Sequence, residues 1–269
     1  MSTVSQVQPL IPPLNEPRKS LRLLSYNVQT GIATTRPHHY FTQGWKHVLP
    51  HAQSLGNLGK IANLISDFDM VALQEVDAGS LRSRYVNQAE YMANSGQFPF
   101  WYCQTNRNLG RIAQNSSALL SKFRPNEVTE HKLPGLPGRG AMVVRYGNHG
   151  SALVLLLIHL ALGQRARLRQ LGYISELVNE HENVVLMGDM NCQPESREMD
   201  ILFKSTRLRE PAEALNTFPS WRPQRNIDHI LVTPSLEISN VRVLSHPFSD
   251  HLPIAVELII PENIQLNAA

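Results

Sequence analysis

Cysteine is nearly absent from this chain. Its 269 residues include only Cys103 and Cys192, which excludes a disulfide framework, and neither has a second cysteine at metal-ligand spacing. A reducing compartment, the cytoplasm, is therefore expected. Long apolar runs are missing too. The longest, residues 152–162, is interrupted by His159 and falls well short of the roughly 20 residues a membrane-spanning helix needs. Residues 1–20 have no basic segment leading into an apolar one, so they read as a flexible leader rather than a signal peptide. No Gly-x-Ser-x-Gly elbow occurs, which argues against the serine hydrolases built on it. A dinucleotide-binding glycine pattern is also absent. Gly56-Asn57-Leu58-Gly59-Lys60 looks like a phosphate loop, but it is too short and no Ser or Thr follows the lysine. It reads better as the opening of the first helix. Aromatic residues make up 7% of the chain and show no pattern that would name a base-stacking platform.

Charge is scarce in total but uneven in placement. The net value is only +3, yet between Arg82 and Arg145 nine Lys/Arg stand against three Glu, and Arg165, Arg167 and Arg169 follow as a second cluster. Such a basic face suits a polyanion, nucleic acid or an anionic lipid surface. A solvated surface balanced by acids elsewhere reads the same way.

What is present is a series of strand-like runs. Residues 21–28, 70–76, 117–123, 141–146, 152–160, 183–187, 227–233, 241–244 and 254–260 are apolar and rich in β-branched side chains. Several are continuous rather than alternating, as in strands buried on both faces. Two segments have helical spacing instead. Leu58, Ile61, Leu64 and Ile65 form one stripe; Leu168, Leu171, Ile174, Leu177 and Val178 form the other. Two sheets packed face to face with helices outside fit this pattern. Nothing marks a linker, so one domain over residues 21–262 is expected, followed by a C-terminal tail, 263–269.

Polar residues punctuate the ends of these runs. In Gly188-Asp189-Met190-Asn191 an extended backbone would aim Asp189 and Asn191 at one site and Met190 at the core. A carboxylate that can deprotonate water beside an amide that can hold an oxyanion makes chemical sense, although Gly, Asp and Asn are also turn formers. Glu75 closes an apolar strand, where a bare charge is costly and must be paired or bound to metal. Asn27 ends another, and oxygen ligands of this kind suit Mg²⁺ or Mn²⁺. His159 closes Leu155-Leu156-Leu157-Ile158 ahead of a basic helix. Asp228 and His229 are adjacent in a strand and face opposite sides, so only one can enter a site. Asp228 is the better candidate, to orient His251 and hold its tautomer. Asp250, beside His251, is left as a second metal ligand.

These residues, in this order, resemble the endonuclease/exonuclease/phosphatase superfamily, over residues 21–260. The segment Thr217-Phe218-Pro219-Ser220-Trp221-Arg222-Pro223 leading into Ile227-Asp228-His229-Ile230, and the pair Arg167 and Gln170, look most like its small bacterial stand-alone members. The resemblance implies an α/β fold, a four-layer αββα sandwich of two mainly antiparallel sheets with outer helices and the site at one end. It implies that Glu75 holds a divalent metal, Mg²⁺ or Mn²⁺, with Asn27 and Asp250 nearby. Asp189 would activate water, Asn191 would steady the phosphate, and Asp228 would pair with His251. His159 would stand beside the leaving group or phosphate. Arg107 and Arg167 are looser candidates for substrate contact. The chain departs from the family in two places: Ser117 stands where a supporting Asn is common, and Met190 where Phe is usual. The expected activity is metal-dependent phosphoester hydrolysis. Nucleic acid is favoured as substrate over a small phosphoester or a lipid, and a non-catalytic polyanion-binding module is the other class. A lipid enzyme would need an exposed apolar rim around the site, and no stretch of sequence clearly provides one.

Overall fold

A strand that is apolar at every position needs cover on both faces, because its side chains alternate. The computed structural model describes residues 19–32, 53–108, 110, 112–135, 137–148, 150–211 and 215–268, and it supplies that cover. In chain order it contains β1 (Lys19–Asn27), α1 (Gln53–Ile65), β2 (Met70–Val76), α2 (Gln88–Ser95), β3 (Phe100–Asn108), β4 (Gln114–Ser121), β5 (Phe123–Arg124), β6 (Glu127–Lys132), β7 (Gly140–Tyr146) and β8 (Leu153–His159). There follow α3 (Gln164–Asn179), β9 (Asn183–Asp189), α4 (Arg197–Ser205), β10 (Asp228–Val232), β11 (Glu237–Val243), β12 (Ile254–Ile260) and β13 (Asn267–Ala268).

The strands form a six-stranded sheet, β11-β12-β1-β2-β4-β3, and a five-stranded one, β10-β9-β8-β7-β6. Each has a single parallel pair, β1 with β2 and β8 with β9, and is otherwise antiparallel. Alternate residues of the central strands meet between the sheets: Leu21 and Leu23, Leu155 and Leu157, Val185 and Met187, Val256 and Leu258. Their neighbours face outward. Leu24 and Tyr26 pack on Ile61 and Ile65 of α1 and Met92 of α2. Leu156 and Ile158 pack on Leu171 and Ile174 of α3 and Leu202 of α4. The result is the expected four layers, α, β, β, α.

Three strands, β3, β6 and β13, lie outside the nine expected runs, and β5 meets one only at Phe123. β3 and β6 are sheet edges, covered on fewer sides, and β6 reads Glu-Val-Thr-Glu-His-Lys. Helices α2 and α4, of eight and nine residues, are too short for a sustained stripe. Gly56–Lys60 is not the opening of the first helix but lies within it, and Asn57 reaches out to donate to the carbonyls of Gly31 and Phe248. Residues 263–268 are not a free tail: Ile264 is buried in the inter-sheet core and β13 pairs with β5. Of the expected leader, Lys19 and Ser20 belong to β1 and residues 1–18 lie outside the described residues. Both cysteines are free thiols, and no described helix is long and apolar enough to cross a membrane.

An ion pair pins the two helices of the second outer layer. Arg167 donates from Nε (2.9 Å) and Nη2 (2.6 Å) to Oε1 of Glu198. Burial works against the Glu198 charge, but the donors of Gln164 and Arg167 outweigh it and hold the carboxyl below its ordinary range. A lowered folded value means the stabilisation is fully present above the unfolded glutamate value of about 4.3. It is lost as pH falls through the folded value. Glu198→Gln, which strands an Arg167 side chain only 12% exposed, is expected to cost about 3 kcal/mol at pH 7. Thermal unfolding at pH 7 and pH 3 checks this: the gap to the wild type should shrink in acid, and an equal gap at both would contradict it.

Candidate active site

Topology brings the polar strand ends to one place. β1, β2, β8 and β9 finish there with Asn27, Glu75, His159 and Asp189, and β10 and β12 run back from it, behind Asp228 and Asp250-His251. Register makes the arrangement specific: His159 pairs with Asp189 across the parallel ladder, and Asp228 with Asp189 across the antiparallel one.

Asp189 lies at the centre. Its Oδ1 accepts from the Asn191 backbone N–H at 2.9 Å and its Oδ2 from Asn27 Nδ2 at 3.1 Å. Nε2 of His159 is 3.5 Å from Oδ2, and Nε2 of His251 is 3.9 Å away. Burial pushes this carboxyl up to about 7, against the pull of His251 and the two hydrogen bonds. A general base poised near neutral pH is the consequence. His251 Nδ1 sits 2.8 Å from Asp228 Oδ2, which also accepts from Thr217 Oγ1. Burial opposes the imidazolium, but Asp228, with Asp189 and Asp250 behind it, holds the ring up at about 10. His159 goes the other way. Its burial, with Arg139 and His251 nearby, keeps it well below the ordinary histidine value and so neutral. One charged and one neutral imidazole thus flank the same carboxylate.

Glu75 reaches the site through a defect in its strand. Strict alternation would send it toward the helices with Leu73. Instead β2 carries one extra residue between Leu73 and Val76, which pair with Ala118 and Ser116 of β4, and both Leu73 and Val76 face the helical layer. The bulge turns Glu75, at φ 59°, toward the site. A non-glycine residue in the left-handed region costs on the order of 1 kcal/mol. Two residues on, Asp77 pins the turn that follows. Its carboxylate accepts from the N–H groups of Gly79 and Ser80, the hydroxyls of Ser80 and Ser83, and Arg82 Nε, all within 2.9 Å.

Could these residues hold a divalent ion? Glu75 Oε1 stands 3.9 Å from His159 Nε2. Its recessed position and then the Asp250 carboxylate push its proton affinity up, with Asn27, His251 and Arg139 opposing. Two neighbouring carboxylates fit a hard cation, while Asn27 turns its amide N–H toward Asp189 and shares its oxygen with the Gln29 N–H. Asp189, Asp228 and His251 also offer ligand atoms within 4.8 Å of one another. There the Asp228–His251 hydrogen bond already uses the facing atoms and keeps the ring cationic, which leaves Glu75 and Asp250, with Asn27 beside them, as candidates to hold an ion.

Not every anticipated residue arrives. Arg167 does not: its donors are taken by Glu198 and by the carbonyls of Ala161 and Leu162. Asn191 lies just past β9 at φ 53°, so it reaches the site by a turn rather than by alternation, and its Nδ2 donates to Leu160 O at 3.0 Å. Met190 is buried in the core. His229 faces away, bonded to Glu210 and the Cys192 carbonyl. Ser117 accepts from Asn106 Nδ2 at 3.1 Å, so an amide from the neighbouring strand stands over it. Arg107 lies exposed at the end of β3 beside a cavity of about 800 Å³.

Three residues escape a reading of the sequence. Arg139, half-buried and donating to Leu160 O, feels Glu75 and Asp189; nothing in Pro-Gly-Arg-Gly announces this. Thr217 anchors Asp228 from a distant loop. Asp77 was the most discoverable, since Asp-x-Gly-Ser is a turn signature. An apolar rim also emerges that no single stretch carries. Leu81, Tyr85, Ile112 and Leu162, the exposed large apolar side chains among the described residues, all lie in loops at this end.

Residues 24–251 match the family model described as the Endonuclease/Exonuclease/phosphatase family. No curated protein matches the chain. Solved structures do. An endonuclease/exonuclease/phosphatase from Beutenbergia cavernae is 19% identical with a TM-score of 0.71, over 90% of this chain and 72% of that one. A family protein from Bacteroides thetaiotaomicron is 20% identical at TM-score 0.70, over 91% and 100%. A mannosyl-6-phosphatase from the same organism is 18% identical at TM-score 0.68, over 89% and 100%. At such identities these similarities speak for the fold.

Proposed function

The chain belongs to the endonuclease/exonuclease/phosphatase family of phosphoester hydrolases, and from that premise we propose that it cleaves phosphodiesters of nucleic acid by in-line attack of water, with Mg²⁺ or Mn²⁺ as cofactor. The observation that carries this reading is the central Asp189, whose Oδ2 lies 3.5 Å from Nε2 of His159 and 3.9 Å from Nε2 of His251, the latter held by Asp228. Asp189 takes the proton of the attacking water. His251, fixed by Asp228, donates from Nε2 to a phosphate oxygen. Asn191 keeps a second amide N–H for the charge that develops on the phosphate. His159 stands beside the leaving oxygen. Glu75, Asp250 and Asn27 would hold the ion, which when bound supplies positive charge to the phosphate and leaving group. Arg107 at the rim, and a surface whose arginines are partly unpaired, favour a polyanion as substrate.

The test is product release from single- and double-stranded DNA, RNA, inositol phosphates and sphingomyelin, each with Mg²⁺, Mn²⁺ or EDTA. Metal-dependent cleavage of a nucleic acid is the expected result, with KM rising steeply with salt. Full turnover in EDTA would overturn the metal; cleavage confined to small phosphates with a shallow salt dependence would overturn the substrate. A second reading, hydrolysis of a phospholipid headgroup, draws on the four exposed apolar side chains at the rim. It predicts turnover on vesicles instead.

A further inference from the structure

The cavity beside the site is lined by four arginines, and only Arg139 among them feels the carboxylates of the site. Arg107 comes from the end of β3, Arg139 from the loop before β7, and Arg165 and Arg169 from α3. None of the four makes an ion pair among the described residues, whereas Arg22, Arg82, Arg145 and Arg167 each have a carboxylate partner. Helical geometry explains the division within α3. Positions 165 and 169 are four apart and share a face, and Arg167 between them is rotated away toward Glu198. The same wall contains Gly163 and the start of α3, a 16-residue helix with no side-chain cap and no acid in its first turn. The N-terminal end of the helix dipole adds positive potential on that wall, with Glu198 drawn to Gln164 and Arg167 of the same turn. Concentrating like charges around one hollow is unfavourable unless an anion completes it. Pro137, Ala161 and Leu162 give the cavity apolar surface as well, and about 800 Å³ is within the range of organic ligand sites.

Arg139 joins this cavity to the catalytic centre. It lines the hollow, donates to the carbonyl of Leu160 next to His159, and lies within the electrostatic reach of both Arg107 and Asp189. Arg139 is thus common to the cavity and to the surroundings of Asp189.

We propose that this cavity binds a second phosphate group of the same substrate, carried on an organic spacer, so that the enzyme selects molecules with at least two phosphates over simple monophosphates. This rests on the phosphoester-hydrolase reading above and narrows its substrate class. The neighbouring phosphate of an oligonucleotide and the second phosphate of a small bisphosphate are the same chemistry to these arginines.

The experiment compares wild type with the double variant Arg165→Ala/Arg169→Ala, whose exposed side chains leave the core intact. Substrates are bis(p-nitrophenyl) phosphate, with one phosphate, a short thymidine oligonucleotide, and a sugar bisphosphate. The variant should raise KM about tenfold on a two-phosphate substrate, leave kcat within twofold, and behave as wild type on bis(p-nitrophenyl) phosphate. The salt slope of oligonucleotide binding should fall by about 2, one per lost contact. Whether the oligonucleotide or the bisphosphate shows the KM change identifies the source of the phosphate. Equal effects on one- and two-phosphate substrates, or none on either, would overturn the proposal. If wild type hydrolyses nothing, the catalytic reading fails separately, and calorimetry with inorganic tripolyphosphate decides the site. Tenfold weaker binding to the variant supports it; equal binding, or none to wild type, refutes it. Turnover or binding that appears only on anionic vesicles, unchanged in the variant, would assign this end of the molecule to a lipid surface and also refute it.

Discussion

Asp189→Asn should lower turnover by about 10²–10⁴-fold, the usual loss when a positioned base is removed, while leaving the fold in place. The substitution preserves shape. It removes the carboxylate proposed above as the acceptor of the water proton, whose proton affinity burial raises to about 7. The amide could keep one acceptor for the Asn191 N–H, but its NH₂ would then face the Asn27 amide and the imidazole of His251. A modest rearrangement of those donors is expected; collapse is not, because Asp189 is also a buried charge whose removal relieves desolvation. Steady-state kinetics in Mg²⁺ together with a melting curve checks both halves. Turnover within tenfold of wild type would remove Asp189 from the role of base. Loss of activity with loss of the fold would leave the role to be read from the pH profile, whose acidic limb should follow a group near 7 in the wild type.

Gly188→Ala, one residue earlier, should act through the fold. A Cβ on Gly188 would sit 1.9 Å from the carbonyl oxygen of Ile158, and the residue adopts φ +146°. The obstacle is backbone of the adjacent parallel strand, not a side chain that can swing aside. Relief requires β8 and β9 to separate where His159 pairs with Asp189. About 4 kcal/mol is expected, at the upper end of single-substitution effects, with a Tm loss of about 10 °C for a domain of this size. Gly172→Ala is the internal control. It lies within α3 with nothing near its would-be Cβ, and removing a helical glycine should stabilise by about 0.5–1 kcal/mol. Thermal unfolding of the two variants side by side should give shifts of opposite sign. A Tm loss below 3 °C for Gly188→Ala would mean that the strands tolerate a side chain there.

Much of the candidate site could be read in advance, because strand ends are legible. Continuous apolar runs such as 153–158 announce cover on both faces, and the polar residue that ends such a run is conspicuous. Asn27, Glu75, His159, Asp189, Asp228 and His251 were visible in that way, and the structure brings them together. Arg167 turns to Glu198 of α4, because sequence spacing does not say which face of a helix a cation takes. Arg139, Thr217 and Asp77 stand in loops, where no periodicity marks them. The exposed apolar rim is assembled from residues far apart in the chain.

The sequence by itself determined the layers and the set of chemical groups. Burial of β1, β8, β9 and β12 on both faces demands cover on both sides of each sheet, which here the second sheet supplies on one side and the helices on the other. Only the tertiary structure decided orientation and protonation. The bulge that turns Glu75 into the site depends on its pairing with β4. The opposite shifts of His159 and His251 depend on which neighbours burial brings: Arg139 for one, Asp228 for the other. A side chain's identity is local, but its charge state is set by everything packed around it.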